Sequence, residues 1–218
     1  MTPGPVVIAG AGHAGFQLGA SLRQHGYAGR ICLINGEAHL PYQRPPLSKA
    51  YLKGEGRPDS LMFRPDKFYR DHNIELIGDH AVSIERNSRR LLLASGASLD
   101  YGHLVLATGA RNRLLDIPNA NLGDVRYLRI LDESEALRQR IATARHVLVI
   151  GAGFIGLEFA GTARIKGLEV DVVELGSRVM ARAVAANSRP MKPAPITTTR
   201  RLEAIRCRKA SLSSRMRR

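Results

Sequence analysis

The sequence predicts an α/β fold built on two βαβ units, and three observations predict it. An apolar run, 6–9, leads into the glycine-rich turn GAGHAG and then into an amphipathic helical pattern with Ala14, Leu18 and Leu22 on one face. The same order recurs after the apolar run 147–150, where the turn is GAGFIG and the helical pattern places Ile155, Phe159 and Ala163 on one face. Each repeat continues into a second apolar run that ends near an acidic residue. Strands that alternate with helical patterns are typical of a parallel sheet covered by helices.

Length and composition place the chain among ordinary globular proteins. Its 218 residues, 44% hydrophobic and 24% charged, are enough to bury a core and exclude fibrous or wholly disordered proteins. No apolar stretch approaches the roughly 20 residues of a membrane span, and the start lacks the basic leader of a secretory signal. We therefore expect a cytoplasmic protein. Two distant cysteines and scattered histidines give no disulfide framework, and we expect no metal site.

The first glycine turn has the pattern of a phosphate cradle. Gly10 permits the tight turn, Gly12 lets the backbone approach a pyrophosphate, and Gly15 lets the helix pack on the strand. The start of the helix offers free N–H groups and a favourable dipole to the phosphates. The next strand, 31–34, is followed by Glu37, 22 residues after Gly15. That spacing is close to the one expected of the acid that accepts the ribose hydroxyls.

The second glycine turn repeats the pattern with Gly151, Gly153 and Gly156. Its second strand, 170–173, ends at Glu174, 18 residues after Gly156. One glycine fingerprint is a weak signal, but two complete copies indicate two dinucleotide sites. The carboxylate of Glu174 would repel a 2′-phosphate, which favours NADH over NADPH at this site.

The segment between the cradles makes a family resemblance specific. Residues 40–49, LPYQRPPLSK, form a proline-rich loop that leads into a short helix and carries two cations. Together with ATG at 107–109, YLR at 127–129 and GAGFIGLE at 151–158, they make the chain resemble FAD-dependent, NADH-using ferredoxin reductases of the putidaredoxin reductase and rhodocoxin reductase type. The resemblance covers residues 5 to about 182. It implies two Rossmann-like FAD/NAD(P)-binding domains of the glutathione reductase type, which are incomplete here.

The resemblance implies an FAD site on the first cradle and an NADH site on the second. The residues it assigns to FAD are Gly10, Gly12, Ala14, Gly15, Glu37, Arg44, Lys49, Val82, Thr108, Gly109 and Arg129. Arg44 would contact the phosphates or the ring, Val82 the adenine through its backbone, and Lys49 the flavin, where its charge would favour the reduced state. Solvated loop charges are the alternative for Arg44 and Lys49, and local capping or pairing is the alternative for Arg129. The residues it assigns to NADH are Gly151, Gly153, Gly156 and Glu174.

Lys49 and Glu158 are the candidate catalytic pair. In the wider fold group a glutamate at the position of Glu158 pairs with the lysine next to the flavin, so the resemblance implies contact between these side chains. An acid in the first helical turn, stabilised by the helix dipole, is the alternative explanation of Glu158.

The implied reaction is hydride transfer from NADH to FAD, followed by single-electron transfer to an iron–sulfur protein (ferredoxin) or rubredoxin. Many relatives carry two cysteines in the loop that corresponds to residues 40–49, and this chain has none there, so no dithiol relay is expected. Arg64, Lys67 and Arg70 are candidates for steering an acidic partner, with a solvated helix face as the alternative. A flavin subunit like that of NADH-dependent nitrite reductases is a second enzyme hypothesis.

The predicted domains are a first FAD-binding segment at 1–112, the first half of an NAD-binding domain at 113–180, and a basic tail at 181–218. The family pattern stops within the second domain, so we expect a truncated chain with impaired turnover. A non-enzymatic nucleotide-binding fragment and a nucleic-acid binder that uses the tail are the alternatives. The oligomeric state is left open.

The tail differs abruptly in composition from the rest of the chain. It holds 11 basic residues and one acidic residue, hence +10 of the net charge of +14, and it has no aromatic residue. Prolines at 190, 193 and 195 argue against a helix or strand at its start. A phosphate-binding arm, an inert solvated extension and a reading-frame shift would each explain it, and we favour the shift. Without aromatic platforms for bases, we do not expect nucleic-acid binding.

Overall fold

A computed structural model describes residues 3–176 and 178–180 of the chain, together with the backbone of residues 198–201. The strands are β1 (Val6–Ala9), β2 (Ile31–Ile34), β3 (Ile74–Ile77), β4 (Ala81–Glu85), β5 (Arg90–Leu93), β6 (Ser98–Asp100), β7 (His103–Leu106), β8 (His146–Ile150), β9 (Glu169–Glu174) and β10 (Thr198–Arg201). The helices are α1 (His13–Gln24), α2 (Ala50–Lys53), α3 (Asp66–Asp71), α4 (Leu131–Thr143) and α5 (Phe154–Ile165). Two 3-10 turns, Pro45–Ser48 and Pro58–Leu61, flank α2. The predicted α/β class with parallel sheets is confirmed.

The chain divides into two compact units. The first unit is Met1–Arg44 with Arg57–Arg113, and the second is Pro45–Gly56 with Leu114–Arg218. The sequence analysis placed residues 45–56 in the first domain segment, whereas their contacts group them with the second unit. The reason is packing: Leu52 is buried in the core of the second unit.

The first unit is a three-layer arrangement around a parallel sheet of order β3-β2-β1-β7. α1 and α3 cover one face of the sheet, where Phe16 and Tyr69 pack against Ile8 and its neighbours. The antiparallel sheet β4-β5-β6 covers the other face, with Leu91 and Leu93 against Val7. Both faces of β1 are therefore buried, which explains its continuous apolar run.

Helix α1 faces the sheet through small residues. Of the predicted apolar face, Leu18 and Leu22 pack partly buried against the core and Ala14 is exposed, whereas the fully buried residues of α1 are Gly15, Phe16 and Gly19. A Cβ atom on either glycine would lie within 4 Å of the side chain of Ile8, so the helix sits too close to β1 for larger residues. The close approach selects glycine over leucine on the inner face.

The second unit has a parallel sheet of order β10-β9-β8. α4 and α5 pack on one face, where Leu137 and Phe159 join Val149 and Val172 in the core. Of the face predicted for α5, Phe159 and Ala163 are buried, as expected, but Ile155 is 48% exposed because it lies in the first turn beside the glycine loop.

Strand β10 corrects the expectation that the start of the tail forms no regular element. Residues 198–201 pair in parallel with β9, from Thr198 opposite Asp171 to Arg201 opposite Glu174. β-Branched threonines favour extended backbone, and the edge of β9 offers N–H and C=O groups to pair with. The rest of the predicted tail, 181–197 and 202–218, lies outside the described residues. Among the helices described, none is long and apolar enough to cross a bilayer.

Candidate functional site

The first cradle is a glycine turn held against the strand beside it. Gly10 has a φ of +110°, and a Cβ atom there would collide with the carbonyl of Ala107. A Cβ atom on Gly15 would collide with the carbonyl of Gly10. Around Gly12, by contrast, no atom of the described residues beyond its two chain neighbours lies within 4 Å of the Cβ position. The turn leads directly into α1, whose first N–H groups have no side-chain cap, so these residues fit a bound pyrophosphate.

The second cradle has the same local geometry. Gly151 has a φ of +107°, and a Cβ atom on Gly156 would collide with the carbonyl of Gly151. The Cβ position of Gly153 is open, as at Gly12. This turn also fits a pyrophosphate at the start of a 12-residue helix, α5.

Glu174 is anchored directly to the second glycine turn. One carboxylate oxygen accepts a hydrogen bond from the N–H of Ala152 at 2.7 Å, and the other accepts one from the N–H of Gly176 at 2.9 Å. The acid predicted from spacing therefore lies at the rim of the cradle, at the carboxyl end of β9. Its negative charge is fixed where a nucleotide ribose would approach.

Glu37 has a different setting beside the first cradle. Its carboxylate accepts a hydrogen bond from the Tyr42 hydroxyl at 2.5 Å and forms an ion pair with Arg44 at 2.5 Å. The side chains of Glu37 and Arg44 are only 22% and 30% exposed. Arg44 is thus a partnered charge, not a solvated one. Tyr42 was missed by the sequence analysis, although an aromatic residue in a proline-rich loop is a usable signal for an ordered loop.

Lys49 and Glu158 meet within the second unit. The Lys49 ammonium lies 3.2 Å from one carboxylate oxygen of Glu158, so the predicted contact is present. The other oxygen accepts a hydrogen bond from the Ser48 hydroxyl at 2.5 Å. Ser48 is 6% exposed and was not singled out by the sequence. Both oxygens of Glu158 are therefore engaged by neighbouring residues of one short turn.

The turn that carries Ser48 is itself tied to helix α4. The buried hydroxyl of Ser134 donates to the carbonyl of Leu47 at 2.8 Å. At the start of α4, the Glu133 carboxylate accepts the backbone N–H groups of Arg129 and Ile130, which caps the helix. The backbone of Arg129 therefore serves the cap, and the predicted role of its side chain near a flavin stays a prediction.

The remaining predicted FAD residues lie in the first unit. Thr108 and Gly109 follow β7, and the Cα atom of Thr108 is 3.1 Å from the Cβ position of Gly10, so it borders the first cradle. Ala14 is exposed on the first turn of α1. Val82 lies on β4 and is 61% exposed. Their contacts with a cofactor stay predictions.

The basic residues proposed to steer a partner are mostly neutralised locally. Lys67 pairs with Asp71 at 2.6 Å, and Arg70 pairs with Asp66, both across one helical turn of α3. The Arg64 guanidinium lies over the ring of Phe68, 5.7 Å from its centroid. These contacts favour the alternative of a solvated helix face with internal ion pairs.

The buried Cys32 is not poised for redox chemistry. Burial raises the pKa of its thiol to about 11, with a further contribution from the charge of Glu75. A thiol with a raised pKa is a poor nucleophile at neutral pH.

Two glycine cradles on two βαβ units, each with an acid near the end of its second strand, define a two-domain dinucleotide-binding protein. A family profile described as pyridine nucleotide-disulphide oxidoreductase matches residues 4–192. The chain therefore belongs to the pyridine nucleotide-disulphide oxidoreductase family.

Similar proteins include reductases named for rhodocoxin and rubredoxin. Rhodocoxin reductase of Rhodococcus erythropolis is 50% identical over 182 residues, which are 83% of this chain and 43% of that protein. Rubredoxin-NAD(+) reductase of Pseudomonas putida is 41% identical over 180 residues, or 82% of this chain and 47% of that protein.

Solved structures agree with this grouping. A ferredoxin reductase from Rhodopseudomonas palustris superposes with a TM-score of 0.82 at 72% identity, covering 84% of this chain and 45% of that one. The reductase in a covalent putidaredoxin reductase–putidaredoxin complex gives 0.80 at 38% identity, covering 85% and 45%. The chain thus spans less than half the length of these relatives.

Proposed function

We propose that this chain forms part of a flavoprotein oxidoreductase that passes electrons from NADH through FAD to a small iron–sulfur protein or a rubredoxin. The observation that carries the proposal is the pair of glycine cradles, each open at the residue that would face a pyrophosphate. Relatives named for reduction of rhodocoxin and rubredoxin support the class of acceptor. A cytoplasmic location is part of the same proposal.

The two cradles take different nucleotides. FAD binds at Gly10, Gly12 and Gly15, with Thr108 beside the turn, and NADH binds at Gly153 and its neighbours. Glu174 favours NADH because its carboxylate, held by two backbone N–H groups, repels an added phosphate on the ribose. The first acid, Glu37, is neutralised by Arg44, so its role in binding a ribose rests on the resemblance alone.

Lys49 is the proposed catalytic residue, and Glu158 holds it. When bound, FAD supplies the chemistry that joins a two-electron hydride donor to a one-electron acceptor. Lys49 places a positive charge where reduction adds negative charge. Glu158 fixes the direction of the ammonium, and Ser48 fixes Glu158, so the charge is oriented before any ligand arrives.

NADH-dependent reduction of bound FAD in the purified chain tests this proposal. Replacing Lys49 by Gln should slow flavin reduction about tenfold or more, because removing one preorganised charge typically costs a few kcal/mol of transition-state stabilisation. The matched control is Lys67→Gln on α3, which should leave the rate unchanged.

Two outcomes would contradict the proposal in different ways. Equal rates for Lys49→Gln and the unaltered chain would remove Lys49 from the mechanism while leaving the cradles intact. Absence of both FAD and NADH affinity in titrations would reject the oxidoreductase assignment itself. Tight binding of both without flavin reduction would favour the nucleotide-binding fragment.

A further inference from the structure

A groove of about 500 Å³ lies in the second unit, at the edge of the sheet opposite the glycine turn. Its walls are the end of α2, the outer face and end of α4, and the loop between α5 and β9. The second cradle follows the carboxyl end of β8, whereas this groove borders Arg145, just before β8 begins. Five strand residues, about 16 Å, separate the two places. The groove is therefore not part of the nucleotide cradle.

The groove combines an apolar floor with a cationic rim. Leu52, Ile141 and Leu168 form the floor and are each less than 10% exposed. The rim carries four cations and one carboxylate, and their residues are Lys53, Arg138, Arg145, Lys166 and Glu169. A cavity of this size lies within the range of small-molecule sites, and its charged rim would select an anionic ligand.

Three of the rim cations have no acidic partner in the described part of the chain. Arg138 pairs with Glu135 at 3.0 Å and lies over the ring of Tyr51. Lys53, Arg145 and Lys166 form no ion pair with any residue whose side chain the structure describes. Three positive charges around one opening, with a single opposing carboxylate, give a positive potential there.

The negative ends of the helices offset only part of this positive charge. α2, α4 and α5 all end at the groove, and each helix end carries at most about half a negative charge. α2 has only four residues, so its contribution is smaller still. Together with Glu169, the helix ends offset part of the four positive charges and leave a net positive site.

We propose that this groove binds a small organic phosphate, whose dianionic group meets Lys53, Arg145 and Lys166 while its carbon skeleton covers Leu52 and Leu168. Neither the family nor the two cradles assign a ligand here. The site is a second anion site of the second unit, at the amino edge of its sheet. Its occupancy would connect α2, α4 and α5 through one ligand.

The test is a titration of the 218-residue chain with phenyl phosphate, a single phosphate on an apolar ring, with the affinity read from the methyl NMR signals of the groove floor. These methyl groups report binding in the groove and not binding of the probe at the glycine cradles. The methyl signals of Leu52, Ile141 and Leu168 should shift during the titration. The triple variant Lys53→Gln, Arg145→Gln, Lys166→Gln should bind at least about tenfold more weakly, because each substitution removes a positive charge that faces the phosphate.

A matched control removes three exposed cations of the first unit. Arg57→Gln, Arg86→Gln, Arg89→Gln has the same charge change and should leave the affinity unaltered. Unmoved floor methyls, or equal affinities in the groove variant and the control, would overturn the proposal. Equally tight binding of tetraglutamate would overturn the assignment to phosphate, because it would show that charge alone selects the ligand.

Discussion

The two βαβ repeats of this chain share a fingerprint but not a packing environment. β1 and β8 align residue for residue up to their glycine turns, so that Val7 corresponds to Leu148. Val7 is fully buried beneath Leu91 and Leu93 of the antiparallel sheet, whereas Leu148 is 47% exposed. The same motif thus builds a strand, turn and helix in either place. Burial of the outer face depends on a further layer, which the motif does not encode.

The neighbouring strands show the same difference. Cys32 on β2 and Asp171 on β9 stand opposite Val7 and Leu148 in their sheets. Cys32 is fully buried, but Asp171 is partly exposed and binds His146 at 3.0 Å. A carboxylate can occupy the second position because water reaches that face in the described part of the chain.

The largest effect should come from a polar residue at the aligned positions. Val7→Ser buries an unpaired hydroxyl and removes core contacts, so we expect the free energy of unfolding of the first unit to fall by about 3 kcal/mol. Leu148→Ser should lower that of the second unit by only about 1 kcal/mol, because the Leu148 side chain is 47% exposed. Hydrogen exchange resolved by residue measures both. Equal losses would mean that the face of β8 is covered in solution.

The glycine turns offer a second pair of aligned positions, Gly10 and Gly151, at which the two units can be compared. Gly10→Ala and Gly151→Ala both place a side chain on a residue whose backbone φ is positive. This should lower the free energy of unfolding by about 1–2 kcal/mol in each case. Only at Gly10 does the new methyl group also collide with a backbone carbonyl, that of Ala107. We expect the free energy of unfolding, measured by denaturant titration, to fall about 2 kcal/mol further in Gly10→Ala than in Gly151→Ala. A larger loss for Gly151→Ala would contradict the openness of the second turn.

The two acids should differ in their effect on nucleotide choice. Glu174→Gln removes the negative charge at the second cradle and should narrow the preference for NADH over NADPH about tenfold, equivalent to about 1.4 kcal/mol. Glu37→Gln, whose charge Arg44 already balances, should leave that preference unchanged. Binding constants for both nucleotides measure the effect. An unchanged preference in Glu174→Gln would remove this residue from coenzyme selection.

The smallest effect concerns alkaline pH. The folded-state pKa of Cys32 is raised from 9.0 to about 11 by burial, so its stabilising contribution is complete below pH 9 and is lost as pH rises towards 11. At about pH 9.5 the loss should be about 0.8 kcal/mol. Cys32→Val should remove the part of the alkaline loss of stability that comes from this thiol. Asp171→Asn, at the aligned position in the second unit, should not. Identical alkaline profiles for Cys32→Val and the unaltered chain would contradict this.

Sequence patterns anticipated most of the local structure and little of the layering. Period, glycine spacing and turn residues placed β1 and β2 at their observed bounds, because these signals are local. The burial of Gly15 and Gly19 on α1 was missed because their close approach to Ile8 depends on the partner strand. Ser48 was missed because its partner, Glu158, lies 110 residues away. Contacts at that separation leave no periodic trace in the sequence.

The second unit is discontinuous along the chain, and this limits how the protein can be divided. A fragment that began at residue 114 would lack Leu52, which would leave a cavity in its core. It would also lack the Tyr51 hydroxyl, which donates a hydrogen bond to Glu135 at 2.9 Å. It would also lose Lys49, the cation that faces Glu158. Gene fusions or domain exchanges should therefore transfer residues 45–56 with the second unit, because a single cut cannot deliver an intact module.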